Sequence, residues 1–301
     1  MAASYSSEDI KRLLDLFPAR VLSDYWNGVS SMTKEETTEH ISKNVSDNLV
    51  FDFAFEKLDC CKLYVLVLEH GISGPLPASM LNDPLQLSAG NQTGSVTLVK
   101  SDTNREDYLY IFGQVYNVWF ESTAGHQKTR FLWPLRVRRY DDCFIVQMTK
   151  LSKAIKTYFP NKEVVTHRRN YTRNNLSTLV VDCLRQGGSS ISHADLHRGI
   201  KTLWAQDVID AFESQFKTSY SVAREVMDED TLIKRDVPQL YKEVKNLPLY
   251  DASFQLLNPS NHGLSLEGFR VKPREGELEF PRFTNNAGEV DYVVEKVIDK
   301  N

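Results

Sequence analysis

The chain has 301 residues, 41% of them hydrophobic and 25% charged, with a formal net charge of −4 and a pI near 6.0. That is enough chain for a real core, more readily as two domains than one, and an ordinary composition for a soluble globular protein. The longest apolar patches, such as Leu63 to Leu68, fall short of the ~20 residues that cross a bilayer, and the polar N-terminus has no apolar signal core. No membrane partner is therefore expected, and the location expected is cytoplasmic, or nuclear in a eukaryote.

The first 70 residues read as a small helical domain. Ser6 with Asp9, and Thr33 with Glu36, have the spacing of capping boxes. Ile10, Leu13, Leu14 and Phe17 follow the spacing of one buried helix face, and Pro18 ends it. Val21, Leu22, Tyr25 and Trp26 make a second short apolar face, and the segment from Leu49 to Leu68 is dense enough to supply the core. Gly71 reads as a helix C-cap. Residues 71–95 hold four glycines and three prolines without sustained periodicity, so they read as a linker.

From Val96 the pattern turns to strands. Tyr108 to Phe120 is aromatic and β-branched, with Gly113 as an expected bulge. Phe131 to Val137 contains Pro134 and reads as an edge or bulged strand; Cys143 to Met148 is another strand, after a turn at Asp141 and Asp142. A helix is expected over Leu151–Phe159. Residues 171–247 read as mostly helical, including a helix capped by Ser192 that runs on through Phe216. The C-terminal part alternates again, and Val290–Ile298 fits either strand or helix. The expectation is an α+β fold: a small N-terminal helical domain (1–70), a linker (71–95), and a 96–301 domain in which an antiparallel sheet packs on helices. Cys60, Cys61, Cys143 and Cys183 read as reduced and structural.

Charge is segregated along the chain. Between Lys128 and Arg173 there are twelve Lys or Arg and three acids, a net +9, so the remainder carries −13. Aromatic residues, including Trp133 and Tyr171, are interleaved, which is what a polyphosphate-binding surface needs: cations to displace counterions and rings to stack on bases. Arg136, Arg138 and Arg139 alternate on a strand, with Arg136 and Arg138 on one face. Lys150, Lys153 and Lys156 are spaced to share one side of the next helix. Arg168, Arg169 and Arg173 fall in a polar loop. These nine are the candidate nucleic-acid contacts. The alternative is that they pair with acids of the same chain or of a partner, since charge runs are usually solvated faces.

Other constellations are weaker. His193 and His197, at i and i+4, have metal-ligand spacing without a third ligand, and Asp195 is better explained as a capping acid. Asp141, Asp142 and Lys150 lack nuclease spacing, and Gly187 to Ser190 lacks the lysine of a phosphate loop. No motif fixes a reaction, so no catalytic residue, metal or cofactor is assigned and a non-enzymatic role is expected. The layout of residues 10–68 and 108–159 resembles the centromere protein N family. That family has an N-terminal helical bundle, a β-hairpin sheet with a following helix, and a basic face that meets nucleosomal DNA. The resemblance is one of order and composition and assigns no residue a role. The expected function is a nucleic-acid-associated or adaptor protein (DNA or RNA as partner). The alternatives are a protein-interaction subunit that docks a partner around Tyr25 and Trp26, and a metal-dependent hydrolase.

Overall fold

The structure is a computed structural model that describes residues 5–70, 85–89, 92–120, 126–140, 142–150, 164–169, 178, 181, 190–217, 221–228, 231–259 and 263–301. It is an α+β fold: an N-terminal helical segment followed by a large antiparallel sheet with helices. The helices α1 (Ser7–Leu14), α2 (Ala19–Tyr25), α3 (Lys34–Asn44) and α4 (Asp47–Lys57) come first, and a short 3-10 turn (Leu58–Cys60) closes them. Of the three expected capping boxes, the two in the N-terminal helices form and the one at Ser192 and Asp195 does not. Asp9 N donates to Ser6 Oγ at 3.2 Å and Ser6 N to Asp9 Oδ2 at 3.0 Å, while Thr33 and Glu36 make the same exchange at the start of α3.

Then comes β1 (Leu63–His70), followed by β2 (Leu85–Ala89), β3 (Gln92–Asp102), β4 (Asp107–Phe120), β5 (His126–Tyr140), β6 (Cys143–Thr149), β7 (Val164–Arg169) and β8 (Ile191–His193). Next are α5 (His197–Ala205), β9 (Ile209–Lys217), β10 (Val222–Val226), α6 (Ile233–Asp236), α7 (Pro238–Val244), β11 (Leu249–Leu256), β12 (Gly268–Lys272) and β13 (Glu277–Phe280). The C-terminal helix is α8 (Glu289–Asp299). Among the described residues the strands form one sheet in the order β10-β9-β11-β12-β13-β1-β6-β5-β4-β3-β2, with β7 also on β4 and β8 also on β1.

Several local readings are corrected. Leu63–His70 is a strand at the centre of this sheet rather than part of a helical unit: its alternation places Leu63, Val65 and Val67 on one face and Leu66 and Leu68 on the other, all buried. Within the expected linker, Leu85–Ala89 and the start of β3 pair as strands. The helix expected to run through Phe216 stops at Ala205, where Asp207 takes a left-handed φ of 58°, and Ile209–Lys217 crosses back as β9. Helix α5 begins at His197, so Ser192 is in β8 and not a cap. Gly113 shows no bulge; the shift on that ladder lies between Leu98 and Lys100. Pro134 is in an interior strand, but one residue before pairing with β6 begins at Leu135, so on that side its missing N–H leaves no ladder bond unmade. The ambiguous C-terminal element is a helix. Gly71 and the helix expected over 151–159 lie outside the described residues.

The register defines two faces. Arg136, Gln147, Val65, Leu278, Val271 and Ala252 form one row across β5, β6, β1, β13, β12 and β11. The described helices pack on this face. There Trp204 of α5 meets Phe254 edge-on at 5.4 Å, and Phe254, Phe269 and Phe280 follow at 6.0 Å intervals. The opposite face of β9 to β13 carries ion pairs, Arg224 on Glu213, Arg270 on Asp251 and Lys150 on Glu279, beside an apolar group at the β9–β10 end.

Strands β13 and β8 share one side of β1, and the fork between them turns on Gly276. Its φ is +58°, its carbonyl accepts from Val67 N at 2.8 Å, and an added Cβ would clash with the Val67 carbonyl and with Ala194. Gly276→Ala is expected to destabilise the fold by about 3 kcal/mol, from left-handed strain plus overpacking. Urea unfolding measures this; a loss below about 0.5 kcal/mol would contradict the role of the fork.

Candidate functional site

Two of the candidate arginines point at the helices. Arg136 and Arg138 alternate onto the face that carries α8 and the 58–60 turn, and both side chains are nearly covered, at 12% and 13% exposure. Arg136 makes a two-pronged pair with Asp107 of β4, Nε to Oδ1 at 2.9 Å and Nη2 to Oδ2 at 2.6 Å, and stacks over Phe55 at 4.9 Å. Arg138 makes an end-on fork on Asp291 of α8, Nη1 to Oδ2 at 2.6 Å and Nη2 to Oδ1 at 2.5 Å. Between them lies Asp59. Its Oδ1 accepts from Gln147 Nε2 at 3.1 Å and its Oδ2 from Gly288 N at 3.0 Å, while the same Gln147 amide donates to Asp291 at 3.2 Å.

Burial, then the neighbouring charge of Asp291, pushes the Asp59 carboxyl up to about 6 against the pull of Arg136 and Arg138. Burial works against the charge on Arg136, but its hydrogen-bonded partner Asp107 more than offsets this and holds the guanidinium above its ordinary value. The network ties β4, β5, β6, the 58–60 turn and α8 together. Its chemistry is that of a buried structural ion cluster.

The other candidates divide in two. Arg139 turns to the opposite face, pairs with Glu106 at 2.7 Å and lies over Phe144; Lys150 pairs with Glu279 and lies 4.8 Å over Tyr64. Arg136, Arg138, Arg139 and Lys150 are thus each paired with an acid of the same chain. Strand register places Arg168 opposite Asn117 and Arg169 opposite Tyr116 on β4, where a loop was expected; Lys128 opposes Asn117 from the β5 side and is exposed. Lys153, Lys156 and Arg173 lie outside the described residues.

Of the candidate stacking and docking groups, the three described ones pack in or against the core. Trp133 is buried and its Nε1 donates to the Thr149 carbonyl at 2.6 Å; Tyr171 lies outside the described residues. Tyr25 and Trp26 are partly buried against Phe53, with ring centroids at 4.9 and 4.3 Å.

The two histidines do not share a helix turn. His193 is in β8, while His197 opens α5 with Nδ1 2.5 Å from Asp195 and Nε2 2.6 Å from the Leu249 carbonyl. Among the described residues no group of three or more His, Cys, Asp or Glu is placed to hold a metal. Asp142 is an exposed turn residue, Asp141 and Gly187 to Ser189 lie outside the described residues, and Lys150 is committed to Glu279. Cys60 and Cys61 are buried free thiols, and burial pushes Cys60 up to about 11. No helix among the described residues is long and apolar enough to cross a membrane.

One surface was not anticipated. Phe212, Val222, Val226 and Tyr250 are 40%, 50%, 58% and 48% exposed, and they sit on three adjacent strands at one end of the sheet. Phe212 and Tyr250 are the extra residues at the two bulges of the β9–β11 ladder, which turns them outward. Val222 and Val226 flank Arg224 on the edge strand β10, which among the described residues pairs with β9 alone. No protein-family model matches this chain, and no curated protein matches its sequence.

A raised folded-state carboxyl adds stability that is fully present below its unfolded value near 3.8 and is lost as pH rises through about 6. Between pH 4 and 7 this group is therefore expected to cost the fold on the order of 2 kcal/mol as it ionises. Asp59→Asn should flatten that slope and be at least as stable as wild type at pH 7. An amide there still accepts from Gly288 N, and its NH2 replaces the oxygen that faces Gln147 Nε2, so the Gln147 amide turns over to accept through Oε1, which has no partner among the described residues. Thermal melts across this range measure it; an unchanged slope would contradict the assignment.

Proposed function

We propose that this chain is an adaptor whose work is to bind protein at the sheet corner built by β9, β10 and β11. The observation that carries the reading is the clustering of Phe212, Val222, Val226 and Tyr250 beside a strand edge that no other described strand pairs with. Edge strands are ordinarily blunted with lysine, proline or charge, because an exposed edge invites another chain to pair. Here the bulges and alternating valines present apolar groups instead, set around the Arg224–Glu213 pair, whose charges are already matched within the chain. Capture of the tagged chain from nuclease-treated extract tests this. The bound proteins should be lost with Val222→Glu plus Val226→Glu while the circular dichroism spectrum is kept; an unchanged set would overturn the reading.

A second reading, contact with nucleic acid, is supported by the end of the sheet where Lys128 and Arg168 oppose Asn117 from its two sides, with Arg169 next along β7. Arg136, Arg138, Arg139 and Lys150 are not part of it, since each is paired. Alanine at Lys128, Arg168, Arg169 and Arg173 should weaken binding to fluorescent DNA or RNA evenly across sequences. The salt slope should fall by about one for each phosphate left without its cation. Unchanged affinity would remove this surface.

A further inference from the structure

We propose that the occupant of the β10 edge is a second copy of this chain, paired strand to strand and antiparallel about a twofold axis through Arg224. This rests on the reading that the β9–β11 corner binds protein. Strand β10 reads Val222-Ala-Arg-Glu-Val226, and its exposed positions, Val222, Arg224 and Val226, are symmetric about the arginine. Two antiparallel strands related by a twofold axis normal to the sheet keep opposed residues on one face, and each pairing occurs twice.

Centred on Arg224, that operation sets Val222 against Val226 of the second copy, twice over, and Ala223 against Glu225. Centring on Ala223 or Glu225 instead sets a valine against Arg224, and in the second case Glu225 against its own copy. The self-pairing that preserves the β-branched cross-strand pairs is therefore the one through Arg224.

Its cost is one arginine facing another. The fold has already addressed it: Arg224 Nε and Nη2 both donate to Glu213 Oε1, at 3.1 and 2.6 Å, so each guanidinium arrives neutralised, and two such planar groups can stack. Five residues of strand are too little for a stable dimer. Phe212 extends the apolar ground, because the Met227 N–H donates to its carbonyl at 2.9 Å and holds it beside Val226.

Sedimentation equilibrium of the purified full chain tests this. Wild type should be dimeric at micromolar concentration, and Val222→Glu plus Val226→Glu should weaken the dimer by about tenfold or more without changing circular dichroism. Arg224→Glu should be monomeric alone, with two glutamates opposed on the axis. Mixed with wild type it should form a heterodimer, since Glu then opposes Arg; a merely structural role for Arg224 would not produce that rescue. A monomeric wild type, a dimer that survives the valine changes, or no rescue on mixing each overturns the proposal. If wild type is monomeric yet extract proteins still depend on Val222 and Val226, the corner binds a foreign strand and only the self-pairing falls. If both experiments fail, the interaction reading falls with it.

Discussion

The buried ion cluster on the inner face of β5 is the constraint on which much of the fold depends. Arg136 and Arg138 hold three carboxylates that come from opposite ends of the chain: Asp59 closing the N-terminal helices, Asp107 on β4 and Asp291 on the C-terminal helix. Charges taken out of water are tolerated only when each is paired and hydrogen-bonded. The cluster therefore fixes the positions of all three segments at once. It also explains why the densest cationic strand of the sequence is not an open surface: Arg136 and Arg138, two of its five cations, are turned inside.

Strand β1 gives the cluster its setting. It pairs with β6 on one side and with β13 and β8 on the other, so the strands after the N-terminal helices and those near the C-terminus join in one sheet. Its neighbour Gln147 stands between Arg136 and the apolar part of the row that starts at Val65, and its amide bridges Asp59 and Asp291. The helices and the ion cluster cover one face of the sheet. On the opposite face, β9 to β13 carry polar ion pairs instead, which suits a one-sided antiparallel sheet. The apolar corner at β10 stands out against that polar background.

How much of this the amino-acid sequence made legible follows from the range of each interaction. Capping boxes are local, and both were readable from Ser6–Asp9 and Thr33–Glu36. Alternation is local too, and it correctly placed Arg136 and Arg138 on one face. Which face that is depends on Asp59, Asp107 and Asp291, far away in sequence, and nothing local signals them. The helix expected through Phe216 failed because apolar residues at 209, 212 and 216 satisfy a helical period while the chain turns at Asp207 and becomes a strand. The β10 corner went unseen because residues 171–247 read as mostly helical, and nothing local marks Val222 and Val226 as part of a sheet edge. His193 and His197 illustrate the same limit, since one residue of strand end and a late helix start separate them.

The most direct test of the central claim is a double-mutant cycle on Arg138 and Asp291, read by urea unfolding at pH 7. Arg138→Ala and Asp291→Ala should each cost about 3 kcal/mol by stranding the other charge in the interior, and the double variant should cost clearly less than the sum. Additive losses below about 1 kcal/mol would mean that the pair is a solvated surface contact, and that these arginines are available for a partner after all.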